Sequence, residues 1–201
     1  MKFSEQWLRE FVSPPLTTQQ LIDQLTMAGL EVDGFEPVAA SFSSVVVAEV
    51  LETSPHPDAD KLTVCRVNAG DQQVQIVCGA ANVRPGIKVP LAKVGAKLED
   101  FKIKKAKLRG VESFGMLCSE RELGLSDNHE GLMELPVDAP VGMDVRGYLQ
   151  LDDVIVDLDL TPNRSDCLGM IGLARETGVI NGLDVKPLTV LPVPPTHDQT
   201  F

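Results

Sequence analysis

The sequence is short of the residues that most chemistry requires. Aromatics make up 4% of its 201 residues, with a single Trp and a single Tyr, so platforms for stacking nucleic-acid bases are few. Its three histidines (His56, His129, His197) are scattered, and no His-x-x-x-His pair occurs. Asp58, Asp60 and Asp127 could imitate metal ligands but lack EF-hand spacing, so no metal site is expected. The four cysteines (65, 78, 118, 167) lack the short spacing of a zinc knuckle or a redox motif. They are expected to be free, mostly buried thiols. Neither Gly-x-Ser-x-Gly nor a P-loop is present. Cys118, in Met116-Leu117-Cys118-Ser119, has no partner that would mark a nucleophile and reads as core. No apolar run approaches 18 residues, and the first residues lack the apolar core of a signal peptide. A cytoplasmic location without membrane contact follows as the expectation. No internal repeat is visible.

Positive charge is also scarce overall. The formal net charge is −11, which by itself argues against a nucleic-acid binder. The average conceals an asymmetry. Residues 84–121 hold ten Lys/Arg and four acids, a net of +6, so the remainder carries −17. A basic segment on an acidic body can steer a polyanion to one face.

Hydrophobic content is 43%, ordinary for a globular chain of one or two domains. The first forty residues read as helical. Ser4 can cap a short helix bearing Trp7, Leu8, Phe11 and Val12, which Pro14-Pro15 ends. Thr17-Thr18-Gln19-Gln20 is a capping-box pattern, Leu21, Ile22, Leu25 and Ala28 follow at helical spacing, and Gly29 suits C′. A short extended piece, Leu30 to Phe35, comes next.

From Ser41 the texture turns to short strands: 44–51, 61–67, 74–78, 87–94 and 102–108, with turns at Asn68-Ala69-Gly70-Asp71 and Arg84-Pro85-Gly86. Five strands without a long helix point to a closed or nearly closed barrel. Near Leu151 the texture changes back. Val154, Val156, Leu158 and Leu160 alternate as a half-buried strand, and a turn at 161–166 runs into a helix over about Cys167 to Asn181, ended by Gly182. Prolines crowd Lys186 to Pro195, and Thr196 to Phe201 has no compact ending, so the chain is expected to be the front part of something longer.

The expected class is therefore α+β, mostly β. A barrel over 41–149 is inserted into a small discontinuous α/β domain of residues 1–40 plus 150–190, and 191–201 is a linker.

Within the basic segment Lys102, Lys104, Lys105, Lys107 and Arg109 crowd eight residues. In a continuous strand Lys102 and Lys104 share one face and the other three the opposite one, unless a bulge intervenes near Lys104-Lys105. They read either as phosphate contacts or as the lysines that guard a solvated edge strand. With Phe101 and Phe114 the only aromatics there, recognition of backbone and shape fits better than the reading of single-stranded bases.

Three ordered motifs over about 65 residues, His56-Pro57-Asp58-Ala59-Asp60-Lys61-Leu62, Ile76-Val77-Cys78-Gly79-Ala80-Ala81-Asn82 and 107–119 (Lys107-Leu108-Arg109-Gly110-Val111-Glu112-Ser113-Phe114-Gly115 and onward), closely resemble the tRNA-binding OB-fold family. The flanks, Trp7-Leu8-Arg9-Glu10-Phe11-Val12, Met27-Ala28-Gly29-Leu30-Glu31-Val32-Asp33 and Thr161-Pro162-Asn163-Arg164-Ser165-Asp166-Cys167-Leu168-Gly169, resemble the β-subunit family of bacterial phenylalanine–tRNA ligases.

The resemblance implies a five-stranded OB-type barrel interrupting a first domain. It also implies an (αβ)₂ enzyme using ATP and Mg²⁺, with phenylalanine-specific tRNA, an α subunit and a second β subunit as partners. DNA is not implied. Aminoacylation would lie on the α subunit and editing beyond this chain's end, so no catalytic residue and no bound cofactor are expected here. The family pattern puts tRNA-facing positions around strands 4–5. Lys61, Lys97, Lys102, Lys104, Lys107, Arg109 and Ser113 are the expected contacts. Gly110 and Gly115 are expected to serve turn geometry, and the Asn163-Arg164 pair to fix the strand-to-helix turn rather than to touch RNA.

Overall fold

The computed structural model describes residues 1–99 and 101–193. Along them run β1 (Lys2–Ser4), α1 (Glu5–Phe11), α2 (Thr18–Met27), β2 (Glu31–Pro37), β3 (Ser43–Pro55), β4 (Thr63–Asn68), β5 (Gln73–Cys78) and β6 (Lys88–Lys97). Then come β7 (Ala106–Leu108), β8 (Val111–Ser113), β9 (Gly115–Leu117), α3 (Val145–Tyr148), β10 (Val154–Asp159) and α4 (Met170–Asn181). The chain divides into two compact units, one of residues 1–36 with the chain from Val154 onward, the other Pro37–Asp153.

Local signals explain the helices of the first unit. The Ser4 hydroxyl accepts the Trp7 N–H at 3.0 Å, satisfying one of the donors left open at the start of α1. Arg9, in its last turn, bonds Glu5 at 2.8 Å and the carbonyls of Pro14 and Leu16 at 2.9 and 2.7 Å, fixing the turn into α2. At Thr17 both halves of the capping box form with Gln20. Beyond α2, Gly29 has φ +85°, which an L side chain rarely adopts. Leu8, Val12, Leu21, Ile22 and Leu25 join Phe3, Val156, Leu158 and Leu173 in one core. Its sheet has the order β1-β10-β2, with Phe3 opposite Val156, so the beginning of the chain pairs with its 150s.

The second unit is built on a five-stranded antiparallel sheet ordered β5-β4-β3-β6-β9. β3 lies at the centre and is buried on both faces. Val46, Ala48 and Val50 pack with Val67, Ile76 and Leu91, while Val45 and Val47 pack with Leu123, Leu135 and Val145 from the segment after β9. Alternating residues point to opposite faces, so only a near-continuous β-branched run suits both.

Register shifts in β3 between Val50 and Glu52 and between Ser43 and Val45 bend the sheet. It curls until its edges meet. Phe114 N–H, just before β9, donates to the Gln75 carbonyl of β5 at 2.9 Å.

Two expectations need correction. Residues 102–108 do not form one strand: Lys102 bridges Lys97, residues 103–105 are irregular, and a separate β7–β8 hairpin begins at Ala106. Only Ile103 in that stretch is buried, so no alternating apolar face holds a continuous strand. The front of the chain also begins with a strand, β1, that was not expected, whereas β2 falls on the extended piece expected from Leu30 to Phe35. Of the linker expected over 191–201, residues 194–201 lie outside the described residues.

Gly115 sits where the sheet edges meet, at φ +143°, and a Cβ there would lie 2.7 Å from the Ala92 carbonyl oxygen. Gly115→Ala is expected to destabilise the unit by about 1–3 kcal/mol, read as a lower urea midpoint with unchanged m. An unchanged midpoint would show that the edges tolerate a wider gap.

Candidate nucleic-acid interface

The β7–β8 hairpin carries Lys107 and Arg109, with Lys105 just before it, and is held by polar anchors rather than by a core. Its turn residues Arg109 and Gly110 have φ +41° and +91°, the sign that a two-residue type I′ turn requires. Gln75 Nε2 donates to the Glu112 carbonyl at 2.7 Å. His56, 5% exposed, contributes the third tie. Its Nε2–H donates to the Leu108 carbonyl at 3.0 Å and its Nδ1 accepts the Asp58 N–H at 3.1 Å, which fixes the neutral Nε2–H tautomer. The Lys61 loop and the hairpin are thereby joined through one imidazole.

The structure sorts the cations of the 84–121 segment into two groups. Arg84 forms a two-pronged pair with Glu134, both contacts at 2.7 Å, and holds that carboxyl below the usual carboxylate range. Lys88 donates to the Ala139 carbonyl at 2.6 Å. Lys93 pairs with Asp71 at 3.0 Å. Lys105 pairs with Glu112 at 2.8 Å and lies 4.7 Å from the centre of the Phe114 ring. By contrast Lys97, Lys102, Lys104, Lys107, Arg109 and Arg121 are exposed and form no ion pair among the described residues, nor does Lys61.

The geometry brings several of these together. Lys97 and Lys102 face each other as bridge partners, like charges whose repulsion an anion would relieve. Lys102 and Lys104 line one cleft with Phe101, Val77 and Met116. Lys107 and Arg109 share the hairpin. Sequence reasoning omitted Arg121, which stands twelve residues beyond Arg109 and outside any visible cluster.

Ser113 does not belong with them. It is 2% exposed, and its hydroxyl accepts the Val77 N–H at 3.1 Å and donates to the Gly115 carbonyl at 3.0 Å. Both interactions hold the sheet edges, so the expected contact role passes to a structural one.

Other chemistry finds little footing among the described residues. All four cysteines are buried and unbridged. Asp166, Cys167 and Glu176 form the one candidate metal cluster, but the Arg164 guanidinium is already among them, 3.1 Å from Glu176 and 3.2 Å from the Cys167 sulfur. A site whose charge is balanced by arginine does not suit Mg²⁺, which needs near-octahedral oxygen ligands. Arg164 instead locks the turn before α4. No helix among the described residues is long and apolar enough to cross a membrane.

Residues 45–144 match the family described as "Putative tRNA binding domain". The match covers just under half of the chain, within its second unit. The chain is also similar to "Phenylalanine--tRNA ligase beta subunit" of Idiomarina loihiensis, at 66% identity over 187 residues, covering 92% of this chain and 24% of that protein. The same name is carried by a relative in Pseudomonas fluorescens, 60% identical over 200 residues, covering 99% of this chain and 25% of that protein. The chain thus spans about a quarter of the length of these relatives. Among solved structures, a MetRS related protein from Pyrococcus horikoshii aligns with 49% of this chain and 84% of its own at 26% identity, with a TM-score of 0.37, too loose a superposition to speak to function. The tRNA-binding domain contains every contact residue expected above.

Burial pushes the Cys65 and Cys118 thiols up from 9.0 to about 12, so at pH 8 both remain protonated. The native protein is expected to resist iodoacetamide at these two positions, with mass spectrometry finding modification only after unfolding. Stability is expected to fall as pH rises above about 9, where the unfolded thiols ionise and the buried ones do not. Rapid native labelling would contradict the burial.

Proposed function

We propose that this chain is the tRNA-binding and assembly portion of a phenylalanine–tRNA ligase β subunit, with the second unit an OB-type barrel inserted in the first. The observation that carries the reading is the division of the basic residues. Three cations are paired with carboxylates and Lys88 is tied to a backbone carbonyl, whereas Lys97, Lys102, Lys104, Lys107 and Arg109, around one anchored hairpin, form no ion pair among the described residues. Each phosphate they meet releases counterions, so affinity is strongly salt-dependent and indifferent to base identity.

The reaction joins phenylalanine to its tRNA with ATP and Mg²⁺ elsewhere in the complete cytoplasmic enzyme, and this portion contributes affinity without catalytic residues. The α subunit and a second β subunit are its protein partners. Docking without tRNA contact is a second reading. It is favoured by apolar side chains exposed in the first unit, among them Trp7 at 51%, Met27 at 87%, Leu168 at 62% and Val179 at 79%.

The triple variant Lys104→Glu, Lys107→Glu, Arg109→Glu is expected to weaken tRNA binding by about tenfold or more at low salt. It should also flatten the log K against log salt slope by about 2. Lys93→Glu, which breaks only the pair with Asp71, should stay within about twofold of the parent. Filter binding across a salt series measures both. If the parent chain binds no tRNA even at low salt, the docking reading replaces this one.

A further inference from the structure

Phe101 is an exposed aromatic on this surface that a backbone-reading interface does not need. It lies 48% exposed. Two clefts adjoin it. One runs between Leu98, Glu99 and Phe101, the loop after β5 and residues 119–132; the other runs between residues 101–108 and β9. Val77, Phe101 and Met116 line both clefts, so the two adjoin along these residues as one groove.

The ring is not on a loose loop. The Phe101 carbonyl accepts the Leu98 N–H at 2.9 Å, and Ile103, two residues on, is buried with its N–H donated to the Ala96 carbonyl at 2.8 Å. Backbone bonds at Phe101 and two residues beyond it thus fix the segment that bears the exposed aromatic, which lowers the entropic cost of binding.

The charges flanking the ring are asymmetric. Lys102 and Lys104 line one arm, exposed and without an ion pair among the described residues. In the other arm Arg121 and His129 stand beside Glu99, Glu122 and Glu130. Glu122 is turned inward to the Ser119 hydroxyl at 2.8 Å. Phosphate is therefore favoured on the lysine side and a neutral base over the ring.

We propose that this groove takes one unpaired nucleotide of an RNA, its base stacked on Phe101 and its adjoining phosphates on Lys102 and Lys104. The inference rests on the RNA-binding reading above and sharpens it. The domain grips folded RNA by its backbone and adds a single stacking position, so it favours RNAs that offer an unstacked base, such as a loop or a free end. A single platform gives no sequence code, because every base has a π-face.

The test compares the parent chain, Phe101→Ala, Phe101→Trp and the Lys104/Lys107/Arg109 charge-reversal variant. Each is titrated with folded tRNA, poly-U and a blunt RNA duplex at several salt concentrations. Phe101→Ala is expected to lose about fivefold or more in affinity for tRNA and poly-U. Its salt slope and its affinity for the duplex should be unchanged. Phe101→Trp should retain parental affinity. Because Phe101 is exposed, circular dichroism should show unaltered folding for both variants. If tRNA binds and charge reversal weakens it while Phe101→Ala does not, the stacking site is overturned and the tRNA reading stands. Equal losses on tRNA and duplex would also overturn it. If the parent binds none of the three RNAs, the tRNA reading itself fails.

Discussion

β3 must be buried on both faces, and the tRNA-binding domain is arranged around that constraint. A strand of this kind cannot stand at an edge or face water. Its inward residues Val46, Ala48 and Val50 require β4, β5 and β6 to curl around them. Its outward residues Val45 and Val47 require the segment after β9 to return and cover them. The cover is also bonded to the strand. Val47 N–H donates to the Met143 carbonyl and Gly142 N–H to the Val47 carbonyl, each at 2.8 Å, so the half of β3 that leaves β4 still finds partners. Fully burying each valine contributes about 1.5–3 kcal/mol, and a polar substitution on either side would oppose all of these contacts at once.

The same arrangement decides where function can sit. With the centre closed on both faces, the free surface lies where the curled sheet brings its edges together. There the chain uses hydrogen bonds in place of apolar packing. Ser113, Gln75 and His56 tie the β7–β8 hairpin to β5 and to the Lys61 loop. A hairpin fixed in this way presents Lys107 and Arg109 without having to order them on binding. Nearby, internal partners neutralise Lys93, Lys105 and Arg84, which confines the unpaired charge to fewer positions than the sequence counts. An overall acidic chain can therefore offer a locally basic surface, and its acidic remainder disfavours other approaches by a polyanion.

Local patterns were legible in the sequence wherever a few adjacent residues decide them. Ser4, the Thr17–Gln20 capping box and Gly29 mark helix ends because their partners lie within one turn. The Val45–Val47 run reads as a buried strand because burial on two faces removes polar alternation. The 102–108 stretch misled for the opposite reason. Lysines at four of its first six positions conceal that only Ile103 is anchored, so the break at 103–105 left no periodic trace.

The sequence by itself therefore determined four of the five strands of the central sheet, the capped helices, the basic segment and the motifs that mark a tRNA-binding domain, but not β9, which takes the place expected for 102–108. Only the tertiary structure decided which basic residues remain free, that Ser113 is internal, that His56 holds the hairpin, and that Phe101 stands exposed in a groove. The physical reason is distance along the chain. Lys93 meets Asp71 across 22 residues, Arg84 meets Glu134 across 50, and His56 meets Leu108 across 52. No local pattern encodes such pairings; they exist once the sheet has curled and its edges have met.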